Sequence, residues 1–360
     1  MKSFIFVIGT MGNGGAERVI ANLSNQFVHD DTKVSIITIY GTLQTYQLND
    51  KVTLSHIVCN SKIKALRPLE RMMKMRRIIS QISPDIVISF LADVNIHTLI
   101  ALIGKKVPII VSERNDPTKS PTAKWMRKLR DVLYKRTSGV VYQTRDAADY
   151  FEKYVPNKIK QTIIANPIKD DLPFYVSRPE KVEFITACRL NQQKNIHLMI
   201  DSVKRVIDKG YECFLNIYGE GPMRQELETY IDSIGLNERI RLCGFSDSIH
   251  EKMTKATAFI ISSDFEGISN SMLEALGIGI PVIATDCPVG GARQYIINEV
   301  NGYLVPCRDV DSMSKAMIDV IKNPAEAIEM GKEATKIREM ISTKNIASQW
   351  MDFIKKVIAK

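Results

Sequence analysis

The feature that most constrains this chain is its alternation of short β-branched runs with stretches of helical period. In the first half the strand-like runs are residues 4–8, 34–39, 86–90, 109–112 and 139–142, and the helical stretches include 16–27 and 69–82. In the second half the runs are 183–187, 214–218, 240–242, 258–261 and 281–284, with helical stretches at 196–208, 223–234, 272–276 and 313–321. Strand–helix–strand order demands parallel crossovers, and a parallel sheet needs helices on both faces. Two such series in 360 residues predict an α/β protein of two doubly wound, Rossmann-like domains. Proline and polar residues interrupt the pattern at Asn166-Pro167 and again through Asp170-Asp171-Leu172-Pro173. The expected domains are therefore residues 1–168 and 169–340, with a final helix over 341–360 packing back on the first.

Apolar residues make up 45% of the chain and charged residues 25%, which excludes disordered, collagenous and coiled-coil classes. The net charge of +9 suits nucleic acid, an anionic membrane or phosphorylated ligands, and composition does not choose among them. None of the six cysteines stands in a C-x-x-C spacing, and Cys188, Cys213 and Cys243 lie in or beside apolar runs; this predicts free thiols in a reducing compartment. The histidines (His29, His56, His97, His197, His250) make no metal-ligand spacing. The first apolar run, Phe4-Ile5-Phe6-Val7-Ile8, is short and ends in glycines without a cleavage pattern, so it reads as a buried strand rather than a secretory signal. The best membrane-span candidate, residues 99–111, is broken by Lys105, Lys106 and Pro108.

In open parallel sheets ligands bind beyond the carboxyl ends of the strands, so the chemistry is expected in the loops that follow them. The first such loop holds Gly12, Asn13, Gly14 and Gly15 and opens a helix, where backbone amides favour an anion. A dinucleotide fingerprint fails here: Glu17 stands in place of the third glycine, and the strand ending at Ile39-Tyr40-Gly41 lacks the ribose-binding acid. A ligand-free tight turn is the other reading. The second loop, Arg189-Leu190-Asn191-Gln192-Gln193-Lys194-Asn195, carries two cations near a helix start, suited to a diphosphate or merely a solvated basic turn. The third runs from Asp264 to Ala275. It sets Glu266 and Glu274 with seven residues between them, Gly267, Ile268, Ser269, Asn270 and Ser271 among these. Glu274 is placed in the first helical turn, where Ser271-x-x-Glu274 is also a capping box.

These motifs, taken in order, resemble the signature of retaining family 4 glycosyltransferases. Glu266-x7-Glu274 runs on as Leu276-Gly277-Ile278-Gly279-Ile280-Pro281. It is accompanied by Cys188-Arg189-Leu190 with Lys194, by Tyr218-Gly219-Glu220-Gly221-Pro222, and by Asn301-Gly302-Tyr303-Leu304-Val305. Gly14-Gly15-Ala16-Glu17-Arg18 resembles the opening of bacterial capsule, O-antigen and glycan-assembly members. The resemblance implies a GT-B fold, two Rossmann-like domains facing across a cleft. It implies transfer, with retention, of a hexose or N-acetylhexosamine from a nucleotide-diphosphate sugar, UDP favoured, to a growing lipid-linked surface glycan. It further implies that Arg189 and Lys194 hold the donor diphosphate, that Glu266 and the amides of Gly267, Ile268, Ser269 and Asn270 hold the sugar, and that Glu274 grips the ribose. Ser271, Gly219 and Gly221 would also border the donor, Gly14 and Gly15 would line the cleft, and the loop at Phe245 would face the base. No cofactor and no metal is expected. Many members carry a histidine in the loop after the fourth strand; here that loop reads Glu113-Arg114-Asn115, three candidates for the acceptor side.

Two stretches concentrate positive charge: residues 62–77 and 119–136 hold fourteen lysines and arginines against Glu70 and Asp131, with apolar residues interleaved. They are expected to dock an otherwise cytoplasmic protein on the anionic inner face of a membrane; the alternative is a solvated helix face. No nucleic-acid reader motif is present. Asp309-Val310-Asp311 mimics a metal-binding D-x-D, but Asp311 is better placed as a helix N-cap. Two other activities fit the same fold, a nucleotide-sugar epimerase and a non-catalytic nucleotide-sugar-binding protein. The acid pair argues against the first, and the intact set of Arg189, Lys194, Glu266 and Glu274 argues against the second.

Overall fold

A computed structural model describes residues 2–12, 14–28 and 32–359. Asn13 and His29 lie outside the described residues. The chain divides into two compact units: residues 1–167 with 343–360, and residues 168–342.

The first unit runs β1 (Lys2–Ile8), α1 (Gly15–Phe27), β2 (Thr32–Thr38), β3 (Thr53–His56), α2 (Arg67–Ile82), β4 (Ile86–Phe90), α3 (Ala92–Ala101), β5 (Ile109–Ser112), α4 (Lys124–Leu133), β6 (Gly139–Tyr142), α5 (Arg145–Phe151) and β7 (Lys160–Ile163). Its seven-stranded sheet has the order β3-β2-β1-β4-β5-β6-β7, and every pairing is parallel. The order follows from burial. Phe4 to Ile8 are fully buried, and a strand apolar on both faces must sit in the middle of a covered sheet. β3 and β7 are the edges, and their sequences, TLSH and KQTI, are polar and half-exposed. For that reason neither stands out in the sequence.

The second unit contains β8 (Glu183–Ala187), α6 (Ile196–Asp208), β9 (Phe214–Tyr218), α7 (Arg224–Ser233), β10 (Ile240–Gly244), α8 (Ile249–Met253), β11 (Ala258–Ile261), α9 (Asn270–Ile278), β12 (Val282–Thr285), β13 (Tyr303–Val305), α10 (Val310–Lys322), α11 (Pro324–Ala334) and α12 (Ile337–Met340). Its six strands pair in parallel in the order β10-β9-β8-β11-β12-β13. The order reverses between β8 and β11, which opens a crevice at the carboxyl ends of these two strands, the usual ligand position in such sheets. The final helix, α13 (Thr343–Ile358), belongs to the first unit. Its Trp350 is fully buried and stacks on Phe90 at the end of β4, ring centroids 5.5 Å apart.

Candidate functional site

In the second unit the loops after β8 and β11 meet at the switch point. After β8 the chain passes the exposed Arg189; among the described residues no acid pairs with its guanidinium. The Asn191 side chain accepts the Lys194 amide at 3.3 Å and shapes a short 3-10 turn over Gln192–Lys194. Asn195, in the left-handed region at φ 41°, then caps α6 by accepting the Leu198 amide. The β11 loop is fastened to this turn: the Asp264 amide donates to the Gln193 carbonyl at 2.9 Å, Gln193 Nε2 donates to the Phe265 carbonyl at 2.8 Å, and Asn195 Nδ2 donates to Asp264 Oδ1 at 2.9 Å. These ties bring Lys194 Nζ to 2.7 Å from Glu266 Oε2. Burial opposes the Lys194 ammonium, but the Glu266 carboxylate beside it prevails and holds its pKa above the ordinary lysine value.

Glu274 lies one turn deeper than expected. The N-cap of α9 is Ser269, whose Oγ accepts the Met272 amide, so Ser271 is not the cap and the capping box does not form. Glu274 falls in the second turn, buried, and its Oε2 lies 2.9 Å from His250 Nε2 on α8. Gly267, Ile268, Ser269, Asn270 and Ser271 make the entry to α9 between the two acids. Gly219 and Gly221 have a packing reason. A Cβ at Gly219, where φ is +130°, would stand 1.9 Å from the Cys188 carbonyl oxygen, so only glycine lets the end of β9 lie against the β8 turn. Phe245, just past β10, is 71% exposed.

One segment escaped the sequence reading. The loop after β12 returns to Glu266, whose amide points at the Pro288 carbonyl at 3.5 Å. Val289 in that loop has φ +74°, an outlier for a β-branched residue, and such strain gathers at functional sites. Its Gly290-Gly291 was the available signal. His250 was missed as well, because its partner is 24 residues away.

In the first unit Gly14 is the uncapped N-cap of α1, and the Glu17 carboxylate folds back over it, so that a side chain at this position would have to push that carboxylate aside. Gly15 is exposed. Of the three acceptor-side candidates, Glu113 points inward: it is 1% exposed and accepts the Tyr134 hydroxyl, and burial raises its pKa. Contact with an acceptor would require it to leave the core. Arg114 donates to Asn166 Oδ1 at 2.7 Å and lies over the Phe90 ring, 4.3 Å from its centroid. Asn115 accepts the Asp116 amide at 2.8 Å and is half-buried. The D-x-D segment also differs from expectation. Asp309, not Asp311, caps α10, holding the Ser312 amide and hydroxyl, while Asp311 pairs with Arg205. Among the described residues no cluster of three or more His, Cys, Asp or Glu is placed to hold a metal ion.

Against this geometry, residues 13–172 match the family described as Glycosyltransferase Family 4, and residues 168–337 match Glycosyl transferases group 1. The chain belongs to the family 4 glycosyltransferases. This glycosyltransferase is 25% identical, over 99% of both chains, to the GalNAc-α-(1→4)-GalNAc-α-(1→3)-diNAcBac-PP-undecaprenol α-1,4-N-acetyl-D-galactosaminyltransferase of Campylobacter jejuni. It is 24% identical to that organism's N-acetylgalactosamine-N,N'-diacetylbacillosaminyl-diphospho-undecaprenol 4-α-N-acetylgalactosaminyltransferase, over 90% of this chain and 91% of the other. Among solved structures, HepE of Anabaena in complex with UDP and glucose superposes with a TM-score of 0.83 at 15% identity, covering 99% of this chain and 100% of that one. The likeness shows the GT-B fold. The glycosyltransferase has no helix, among the described residues, long and apolar enough to cross a membrane.

The structure also sorts the two basic stretches of the glycosyltransferase. Arg130 is fully buried against Asp131 and two carbonyls, Arg71 holds the Ile39 carbonyl, Arg76 holds those of Ala101 and Ile103, and Arg127 those of Pro121 and Thr122. These cations build the fold. Lys62, Lys64, Arg77, Lys124, Lys128 and Lys135 are exposed instead. Beside them stand the exposed apolar residues Leu66, Leu69 and Met73 of the α2 region and Trp125 and Val132 of α4.

Proposed function

We propose that this glycosyltransferase moves a hexose or N-acetylhexosamine from a UDP-sugar, with retention, onto a lipid-linked saccharide during assembly of a surface glycan such as capsule or lipopolysaccharide. The observation that carries the reading is the Lys194 ammonium, paired with Glu266 at 2.7 Å on the same turn as the exposed, acid-free Arg189. A departing diphosphate gains negative charge in the transition state, and two preplaced cations grow in strength as it does. Glu266, with the amides of residues 267–270, receives the sugar hydroxyls; Glu274 takes the ribose and Phe245 faces the base. The acceptor hydroxyl attacks on the face that the diphosphate leaves. Because side chains supply the cationic charge, no divalent ion is needed. The two Campylobacter jejuni relatives, whose names state undecaprenol-linked acceptors, and HepE, solved with UDP and glucose, support the substrate classes.

A thermal-shift panel of UDP-, GDP-, ADP- and dTDP-sugars should single out UDP. In EDTA the wild type should turn over, and Lys194→Ala should lose about a hundredfold, roughly 3 kcal/mol in the barrier. An unchanged Lys194→Ala rate removes the site assignment. Activity restored only by Mn²⁺ or Mg²⁺ removes the metal-free reading.

The same reading puts the protein in the cytoplasm, peripheral on the inner membrane face. Support comes from the exposed cations interleaved with Leu69, Met73, Trp125 and Val132. Each cation near an anionic surface contributes about 1 kcal/mol, screened over roughly 8 Å at physiological salt. Cosedimentation with anionic liposomes should fall as salt rises, and should fall further in the quadruple variant Lys64→Glu, Arg77→Glu, Lys124→Glu, Lys128→Glu. Equal binding by that variant rejects membrane docking.

A further inference from the structure

We infer that His250 is a positioning residue that fixes the carboxylate of Glu274 and couples it to the loop carrying Phe245; the inference rests on the reading that Glu274 takes the ribose. His250 Nε2 stands 2.9 Å from Glu274 Oε2, with only 15% of the histidine side chain and 7% of the glutamate side chain exposed. At this burial water cannot stand in freely for the partner, and an ionised carboxylate that loses a hydrogen bond bears the desolvation cost itself. The donor is Nε2–H, because the carboxylate only accepts.

Two consequences follow from the placement of the pair. The terminal torsion of glutamate is broad and roughly two-fold, so an untethered carboxylate samples many planes. A fixed N–H on one oxygen selects one plane and removes that ordering cost from nucleotide binding. Second, α8 begins four residues after Phe245, and Glu274 lies on α9, so this one hydrogen bond joins the loop that ends β10 to the helix that follows β11. A base held at Phe245 and a ribose held at Glu274 are rigidly linked within one nucleoside. The spacing of their two protein anchors therefore has to match, and the His250–Glu274 contact sets it. Lys252, the neighbouring cation on α8, is turned elsewhere, over the Tyr218 ring at 5.5 Å.

The test is calorimetry with UDP and with 2′,3′-dideoxy-UDP on folded wild type, His250→Ala, His250→Gln, His250→Asn and Glu274→Ala, with melting curves as the folding control. Wild type should prefer UDP. His250→Ala should lose about five- to tenfold for UDP, the net worth of one ordinary hydrogen bond, and nothing for the dideoxy nucleotide. His250→Gln, which keeps an N–H at the Nε2 position, should recover most of the preference, and the shorter His250→Asn should not. If His250→Ala weakens both nucleotides equally, the residue is merely structural and the inference is overturned; if it weakens neither, the inference is equally overturned. The arm with Glu274→Ala separates the two levels. If that variant keeps the wild-type preference for UDP, the ribose assignment itself is wrong. If it loses the preference while His250→Ala keeps it, only the role of His250 falls. Should His250→Ala fail to fold, the contrast between His250→Gln and His250→Asn decides alone.

Discussion

Both units place a glutamate just beyond the carboxyl end of a sheet strand, and they treat it in opposite ways. Glu113 follows β5 in the first unit, 1% exposed, in a network with Tyr134, whose hydroxyl also receives Asn95 Nδ2 at 2.8 Å. Glu266 follows β11 in the second unit, with 18% of its side chain open and its lysine partner only 15% exposed. A sealed acid can serve only the fold, because exchanging its partners means opening the core. A pair at the rim can trade one partner for a ligand at modest cost. The difference teaches that the position of an acid at a strand end nominates it for chemistry, but its access to solvent decides whether it can take part.

The sharpest way to break the comparison is to delete each acid's network in turn. Glu113→Ala should cost about 3 kcal/mol in chemical denaturation, since it leaves the buried Tyr134 hydroxyl proton without its acceptor and a cavity behind. Lys194→Ala should cost less than that, because 18% of the Glu266 side chain is open and water reaches the carboxylate that the lysine leaves. Equal losses would erase the distinction between the two acids.

A smaller effect sharpens it through pH. Burial raises the Glu113 pKa in the folded state above its unfolded value. Below the unfolded value both states hold the proton and folding carries no penalty. As pH rises past the ordinary glutamate value, the unfolded chain releases its proton first, so stability falls until the folded group also ionises. Glu113→Gln cannot ionise. Its melting temperature relative to wild type should therefore rise between pH 4 and pH 7, and a constant difference would show that Glu113 titrates normally.

Much of this was legible in the chain. Apolar runs such as Ile86–Phe90 and Glu183–Ala187 are central strands because a covered sheet leaves them no polar face. The edge strands β3 and β7 were not legible, since a half-exposed edge has a mixed sequence. Arg189, Lys194, Glu266 and Glu274 could be nominated because each lies in a loop or turn with a recognisable spacing. The cap of α10 was misplaced by two residues, from Asp309 to Asp311, because either aspartate precedes a helical run and only backbone geometry separates them.

The sequence by itself determined the alternation of strands and helices, the break near Pro167, and the order of the glycine-rich, basic and acidic loops. These are local properties: periodicity, turn residues and spacing act over a few neighbours. Tertiary structure alone decided which cations are buried braces and which face outward, that Glu113 turns inward while Glu266 meets Lys194, and that His250 reaches Glu274. Apart from near neighbours such as Arg130 and Asp131, these are pairings of groups far apart in the chain, from Arg76 with the Ala101 carbonyl to Lys194 with Glu266 across 72 positions. Burial and partner choice depend on which surfaces the packed sheets bring together, and no local pattern contains that information.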